Sequence, residues 1–137
     1  MANTMRVELV SPEKVLFSGE ATMVITRTLG GGDIAFMAGH APFLAGLTEG
    51  NTRIYLADGT VQDVALHGGF VQVANNTVSL LSDVAELAGD IDVARAQRSH
   101  DAAEAALHAD ADDADAASAL RRATARLAAA GSKAAAH

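Results

Sequence analysis

Leu81 to Arg98 reads LSDVAELAGDIDVARAQR, and two kinds of chain meet inside it. Before it, apolar and polar residues alternate in short runs broken by glycine and asparagine. After it, alanine dominates, charges recur at helical spacing and the strand pattern stops. Gly89-Asp90 is the hinge: glycine ends the extended run, and Asp90 is placed to cap a helix starting at Ile91. Asp92, in the first turn of that helix, adds negative charge at the positive end of the helix dipole. The expected architecture is therefore a β-rich body over 1–88 and a helical domain over 89–137.

Working back from the hinge, Met5, Val7 and Leu9 alternate with Arg6 and Glu8 as in a half-buried strand, which Ser11-Pro12 ends. Further extended runs follow at Val15–Phe17, Ala21–Thr28, Ile34–Met37, Phe43–Leu47 and Thr52–Ala57, then at Thr60–Leu66, Phe70–Ala74, Thr77–Leu81 and Val84–Leu87. The turns between them are rich in glycine, asparagine and aspartate, with Asp58-Gly59 the strongest hairpin signal. About ten short strands at this spacing predict an antiparallel β-sandwich or barrel. Nearly all the large apolar side chains lie in this part, so it is expected to fold alone.

Working forward, the tail reads as an antiparallel two-helix hairpin. The first helix is expected from Ile91 to His108 and the second from Asp113 to Ala130, with Gly131 as the stop. Asp110, Asp112, Asp113 and Asp115 crowd the second helix's N-terminus; Arg121, Arg122 and Arg126 lie toward its other end, as the dipole favours. Twenty of the 47 residues from 91 on are alanine, and the large apolar anchors are few: Ile91, Val93, Leu107, Leu120 and Leu127. Burying a leucine contributes roughly 1.5–3 kcal/mol but a single buried carbon only about 0.8. The hairpin is thus expected to be helical yet lightly docked, a two-state element suited to regulation.

The totals narrow the function. A net charge of -7 disfavours nucleic acid, which needs a basic patch. With no cysteine, disulfides and thiolate metal sites are excluded. No apolar run reaches the ~18–20 residues needed to cross a bilayer, and MANTMRVELV lacks the features of a signal peptide. The expected location is cytoplasmic, at most peripheral to a membrane, without insertion.

Ser11-Pro-Glu-Lys-Val-Leu-Phe-Ser-Gly-Glu20, followed by Asp33-Ile-Ala-Phe-Met-Ala-Gly-His-Ala-Pro-Phe-Leu44, resembles the epsilon subunit of bacterial F-type ATP synthases. Gly68-Gly69-Phe70 and Ile91-Asp92-Val93-Ala94-Arg95-Ala96 fall in the same order and spacing, so the resemblance covers essentially the whole chain. It implies a ten-stranded sandwich followed by a helix hairpin. It also implies a non-catalytic rotor subunit in the central stalk, bound to the gamma subunit and resting on the c-subunit ring at the cytoplasmic side of the membrane. There it would couple proton-driven rotation to ATP synthesis. The hairpin would restrain ATP hydrolysis by reaching toward the alpha and beta subunits. No cofactor is required; ATP is implied as a regulatory ligand in some members, and an ATP-sensing module is the alternative reading.

Candidate site residues follow from the same resemblance. Asp33 stands where relatives carry a loop carboxylate facing the c ring, against which stands the plain reading of a turn aspartate. His40, in the Gly-His-Ala-Pro turn, has no second histidine near it in sequence as a zinc site would require, and no nucleophile motif accompanies it. Bonding to the backbone or contact with a partner subunit are its two readings. His67 precedes Gly68-Gly69, where relatives commonly have a small polar residue, and it receives no role. The glycine triplet at 30–32 lacks the lysine and helix of a P-loop. Glu86, Asp92 and Arg95 match positions that contact the adenine and ribose in ATP-binding members, and Arg122 and Arg126 match two further basic positions. Arg122 and Arg126 are an i,i+4 pair whose repulsion a polyphosphate, Glu104 or a facing aspartate would relieve. The competing reading of Asp92 and Arg95 is a surface ion pair.

Overall fold

The computed structural model describes the backbone of residues 3–135 and the side chains of residues 3–131. Among the described residues seven strands precede two helices: β1 (Met5–Val10), β2 (Val15–Thr28), β3 (Gly32–Met37), β4 (Phe43–Leu56), β5 (Val61–Ala74), β6 (Thr77–Leu81), β7 (Ala85–Leu87), α1 (Val93–Ala109) and α2 (Ala114–Ala135).

The count of seven corrects the expected ten, and the reason is visible in β2, β4 and β5. Each is 14 residues long and takes in two of the expected runs. Ser18-Gly19, Glu49-Gly50 and Gly68-Gly69 are interruptions of pattern inside a continuous strand. Each long strand changes partners along its length. β2 pairs with β1 over its first half and with β3 and β4 over its second. β5 pairs with β7 through Val64–Leu66 and with β6 through Phe70–Ala74, while β4 runs along both halves. The order β1-β6-β5-β4-β2 closes on itself because β1 also pairs with β2. That closure leaves no free edge within the ring. One pairing departs from the antiparallel expectation: β1 lies parallel to β6.

The alternation in β1 is the core pattern: Met5, Val7 and Leu9 are buried, with Phe36, Ile54, Leu66 and Leu80 among the side chains they join. Two polar residues enter the interior by satisfying each other, the Thr26 and Thr52 hydroxyls lying 2.7 Å apart. Asn75 and Asn76, at φ 52° and 57°, make the two-residue turn between β5 and β6, as their sequence signals.

The hinge is built differently from its sequence expectation. Ala88–Asp90 form a single 3-10 turn, Ile91 stays extended, and the helix starts at Val93 with Asp92 as its cap. The Asp92 carboxylate accepts the Arg95 amide at 3.1 Å. The two-residue shift follows from Ile91, which is buried with Ala65, Ala125, Ala129 and Ala130 where α2 meets the body. An extended Ile91 delivers its side chain to that seam, at the cost of the helical turn that Asp90 would have capped. At the second helix Asp113 is the cap, its carboxylate accepting the Ala116 amide at 3.0 Å. Gly131 does not end α2, which continues to Ala135. Val93, expected as an anchor, is 51% exposed.

The hairpin is asymmetric. α1 packs on α2, and α2 packs on β4 and β5. The only buried residues of α1 are Ala96 and Ala103. Side chains at the seam are mostly methyls, which permits close approach and contributes little per residue.

Candidate functional site

β7 and the 3-10 turn lead the chain from the body to the hairpin, and a cleft of about 210 Å³ forms where α2 closes over that junction. Glu86, Asp90, Asp92, Arg95, Ala96, Ser99 and Arg126 line it. Four of the five residues expected for nucleotide contact therefore meet in one place: Glu86 from β7, Asp92 and Arg95 from the start of α1, and Arg126 from α2. Arg122, the fifth, is half-buried one turn earlier on α2 and does not line the cleft.

Glu86 is the hub. The Nε of Arg126 donates to its Oε1 at 2.6 Å, and the Nε2 of His67 donates to the same oxygen at 3.1 Å. The carboxylate that offsets the Arg122–Arg126 repulsion thus comes from the body. Glu104, offered for that role from sequence, instead faces His100 at 3.6 Å on its own helix. Burial works to raise the Glu86 pKa, but the bonds and charges of Arg126 and His67 outweigh it and hold the group below the ordinary carboxylate value. Asp92 and Arg95 form no side-chain ion pair among the described residues; the Asp92 carboxylate serves the Arg95 backbone amide.

His67 is the residue that sequence reasoning passed over. Its side chain is 3% exposed, and its register partner on β4 is Glu49. Nothing in the local pattern announces it, because its partners come from 19 and 59 residues away in sequence (Glu86 and Arg126). A second bridge lies beside it: Glu49 faces Arg121 of α2 at 3.6 Å. Among the described residues the docked helix is thus held by alanine contacts and two ion pairs.

Asp33 lies on β3 rather than in the glycine turn, in register with Arg27 and ion-paired to it at 3.3 Å. Both line a groove between β4 and α2, with Leu120, Arg121 and Thr124 on the helix side. His40 sits beyond the other end of β3, its Nδ1 2.7 Å from the Ala41 carbonyl and its ring edge-on to Phe36 at 5.0 Å. The length of β3 separates the two partner-binding candidates. Among the described residues no group of three or more histidine and acidic side chains is disposed to hold a metal.

Comparison with known proteins adds the following. The family model described as "ATP synthase, Delta/Epsilon chain, beta-sandwich domain" matches residues 4–88. The ATP synthase epsilon chain of Streptomyces griseus is 45% identical, over 93% of this chain and 95% of its own length. That of Symbiobacterium thermophilum is 38% identical, over 93% of both chains. Among solved structures, a chain of the Euglena gracilis mitochondrial ATP synthase superposes with a TM-score of 0.70, covering 100% of this chain and 83% of its own. At 18% identity that likeness speaks for the fold alone.

Proposed function

The chain belongs to the epsilon-chain family of ATP synthase, and from that premise we propose that its β body is the coupling part and its hairpin the regulatory part. The epsilon chain is a non-catalytic subunit of the ATP synthase, a membrane-bound complex. No helix among the described residues is long and apolar enough to cross a membrane. In the proposed arrangement the body, residues 1–88, binds the gamma subunit in the central stalk and rests on the c ring at the cytoplasmic side. Asp33 and His40 are the candidate contact residues. The hairpin, residues 89–137, lifts from the body and reaches toward the alpha and beta subunits to restrain ATP hydrolysis.

The observation that carries this division is the seam itself. Among the described residues α2 is held to the body by alanine methyls and two ion pairs, while the body keeps its own closed ring and core. A complex carrying the chain cut after Asp90 is expected to assemble and to keep coupled synthesis, while its ATP hydrolysis rises. Failure of the truncated chain to join the stalk would refute the division.

The cleft favours a second reading, that ATP is a regulatory ligand. Three carboxylates (Glu86, Asp90 and Asp92) and two guanidiniums (Arg95 and Arg126) line it, leaving a net negative lining better suited to base and ribose than to phosphate. The polyphosphate would then lie toward the rim, near Arg122. Calorimetric titration of ATP onto the full chain is expected to give saturable heat that Arg126→Ala abolishes and Arg122→Ala weakens. No heat at millimolar ATP eliminates this reading and leaves the coupling role untouched.

A further inference from the structure

His67 does something the cleft alone does not require: it joins three elements through one carboxylate oxygen. Its ring, on β5, donates from Nε2 to Glu86 on β7, and the same oxygen receives Arg126 from α2. An ionised carboxylate only accepts, so Nε2 carries the ring proton and Nδ1 is bare in the neutral form. Nδ1 is buried and has no hydrogen-bond partner among the described residues. Protonation therefore creates an N–H with no partner among the described residues, at an atom almost without solvent exposure. It also places a second cation on a carboxylate that already holds Arg126.

We propose that His67 is the positioning residue that orients Glu86 for Arg126, and that protonation of its ring releases α2 from the body. The docked hairpin is then stable only while the ring is neutral. Lifting α2 takes Arg126 away and admits water to the ring, so the released state accepts the proton more readily than the docked one.

The ionisable groups around the ring fit one direction. Burial, the largest influence, lowers the His67 pKa; the Glu86 bond raises it, Arg126 lowers it, and the charges of Glu86 and Glu49 raise it, with a net depression below 6.5. A base whose pKa is depressed in the docked state stabilises docking above its ordinary value, and that stability is lost as pH falls below it. Glu86 and Glu49 are both held below the ordinary carboxylate value of 4.5. Their bridges to α2 fail only in more acidic solution. His67 is thus the group facing the seam from β5 that acts between neutral pH and the carboxylate range.

The latch is independent of nucleotide and depends on the proposed regulatory hairpin only for its consequence. The test accordingly uses the full chain without nucleotide. The chain has no cysteine, so Glu13→Cys and Asp115→Cys give one dye site on the body and one on the hairpin. From pH 7.5 to 5.5 the ratio of released to docked hairpin is expected to rise by up to about tenfold, the limit set by an imidazole of ordinary pKa in the released state alone. His67→Gln keeps an N–H for Glu86 but does not titrate, and its ratio is expected to stay flat. A flat profile in the wild type, or an equal rise in both proteins, overturns the latch. Should His67→Gln fail to fold, the ring titration read by NMR in the wild type decides: a midpoint at or above the ordinary value in the docked protein overturns it. Absence of ATP binding would retire the nucleotide reading and leave this result standing.

Discussion

Gly69→Ala is expected to cost about 4 kcal/mol, at the exceptional end for one substitution. Gly69 has φ +119°, a region that side chains rarely enter, and a Cβ there would overlap the Leu81 carbonyl oxygen. It would also come within 3.0 Å of the Leu81 carbonyl carbon and the Ser82 Cα. These are backbone atoms, and they are pinned. The Ser82 amide donates to Val10 at 3.0 Å, and its hydroxyl bonds the Gly68 and Val84 carbonyls at 2.8 and 2.9 Å. Relief therefore requires β6 to move away from the bend at which β5 exchanges partners. Urea unfolding of the variant checks the loss, with Gly59→Ala as the control. Gly59 also has positive φ (+92°), but its Cβ would meet nothing within 4 Å, so only a conformational cost of about 1 kcal/mol is expected there. Equal losses at both positions would show that the close backbone approach at Gly69 is immaterial.

Ala129→Leu is expected to free the hairpin while leaving the body folded. Ala129 is fully buried in the seam with Ala65 and Ile91, and α2 lies close to β5 because the side chains between them are small. Three added carbons have no space, and overpacking of this kind costs about 1–3 kcal/mol. That exceeds what a partly exposed ion pair such as Arg121–Glu49 returns, about 0–1 kcal/mol. The stronger Arg126–Glu86 bond, some 1.5–3 kcal/mol for a charged hydrogen bond, must then hold the helix against the strain. Hydrogen exchange should show α2 amides losing protection while those of β4 and β5 core positions keep theirs. If body and hairpin lose protection together, they form one cooperative unit and the proposed division fails. The same variant offers a way to mimic hairpin release in the assembled complex without removing residues.

Much of this protein is local and so was legible. The β1 alternation, the Asp58-Gly59 and Asn75-Asn76 turns, the aspartate-rich start of α2 and the alanine content of the tail all act within a few residues, where sequence and conformation are directly linked. The meeting of Glu86, Asp92, Arg95 and Arg126 was reachable through the family resemblance alone, since 40 residues separate Glu86 from Arg126. The errors are equally specific. Ten strands became seven because a glycine inside a run reads as a break, although a strand passing between partners uses that glycine to bend. The helix cap moved from Asp90 to Asp92 because Ile91 was needed at a seam 26 residues from its partner Ala65 in sequence.

From the sequence by itself came the elements, their order, the hinge and the imbalance between a bulky-residue body and an alanine tail; these rest on periodicity and side-chain volume. Only the tertiary structure decided which carboxylate answers Arg126, that a histidine without a local signature is sealed behind it, and where a glycine has no substitute. Those outcomes depend on which distant atoms share one small volume, and burial gives such meetings their energy by removing the water that would otherwise satisfy each group separately.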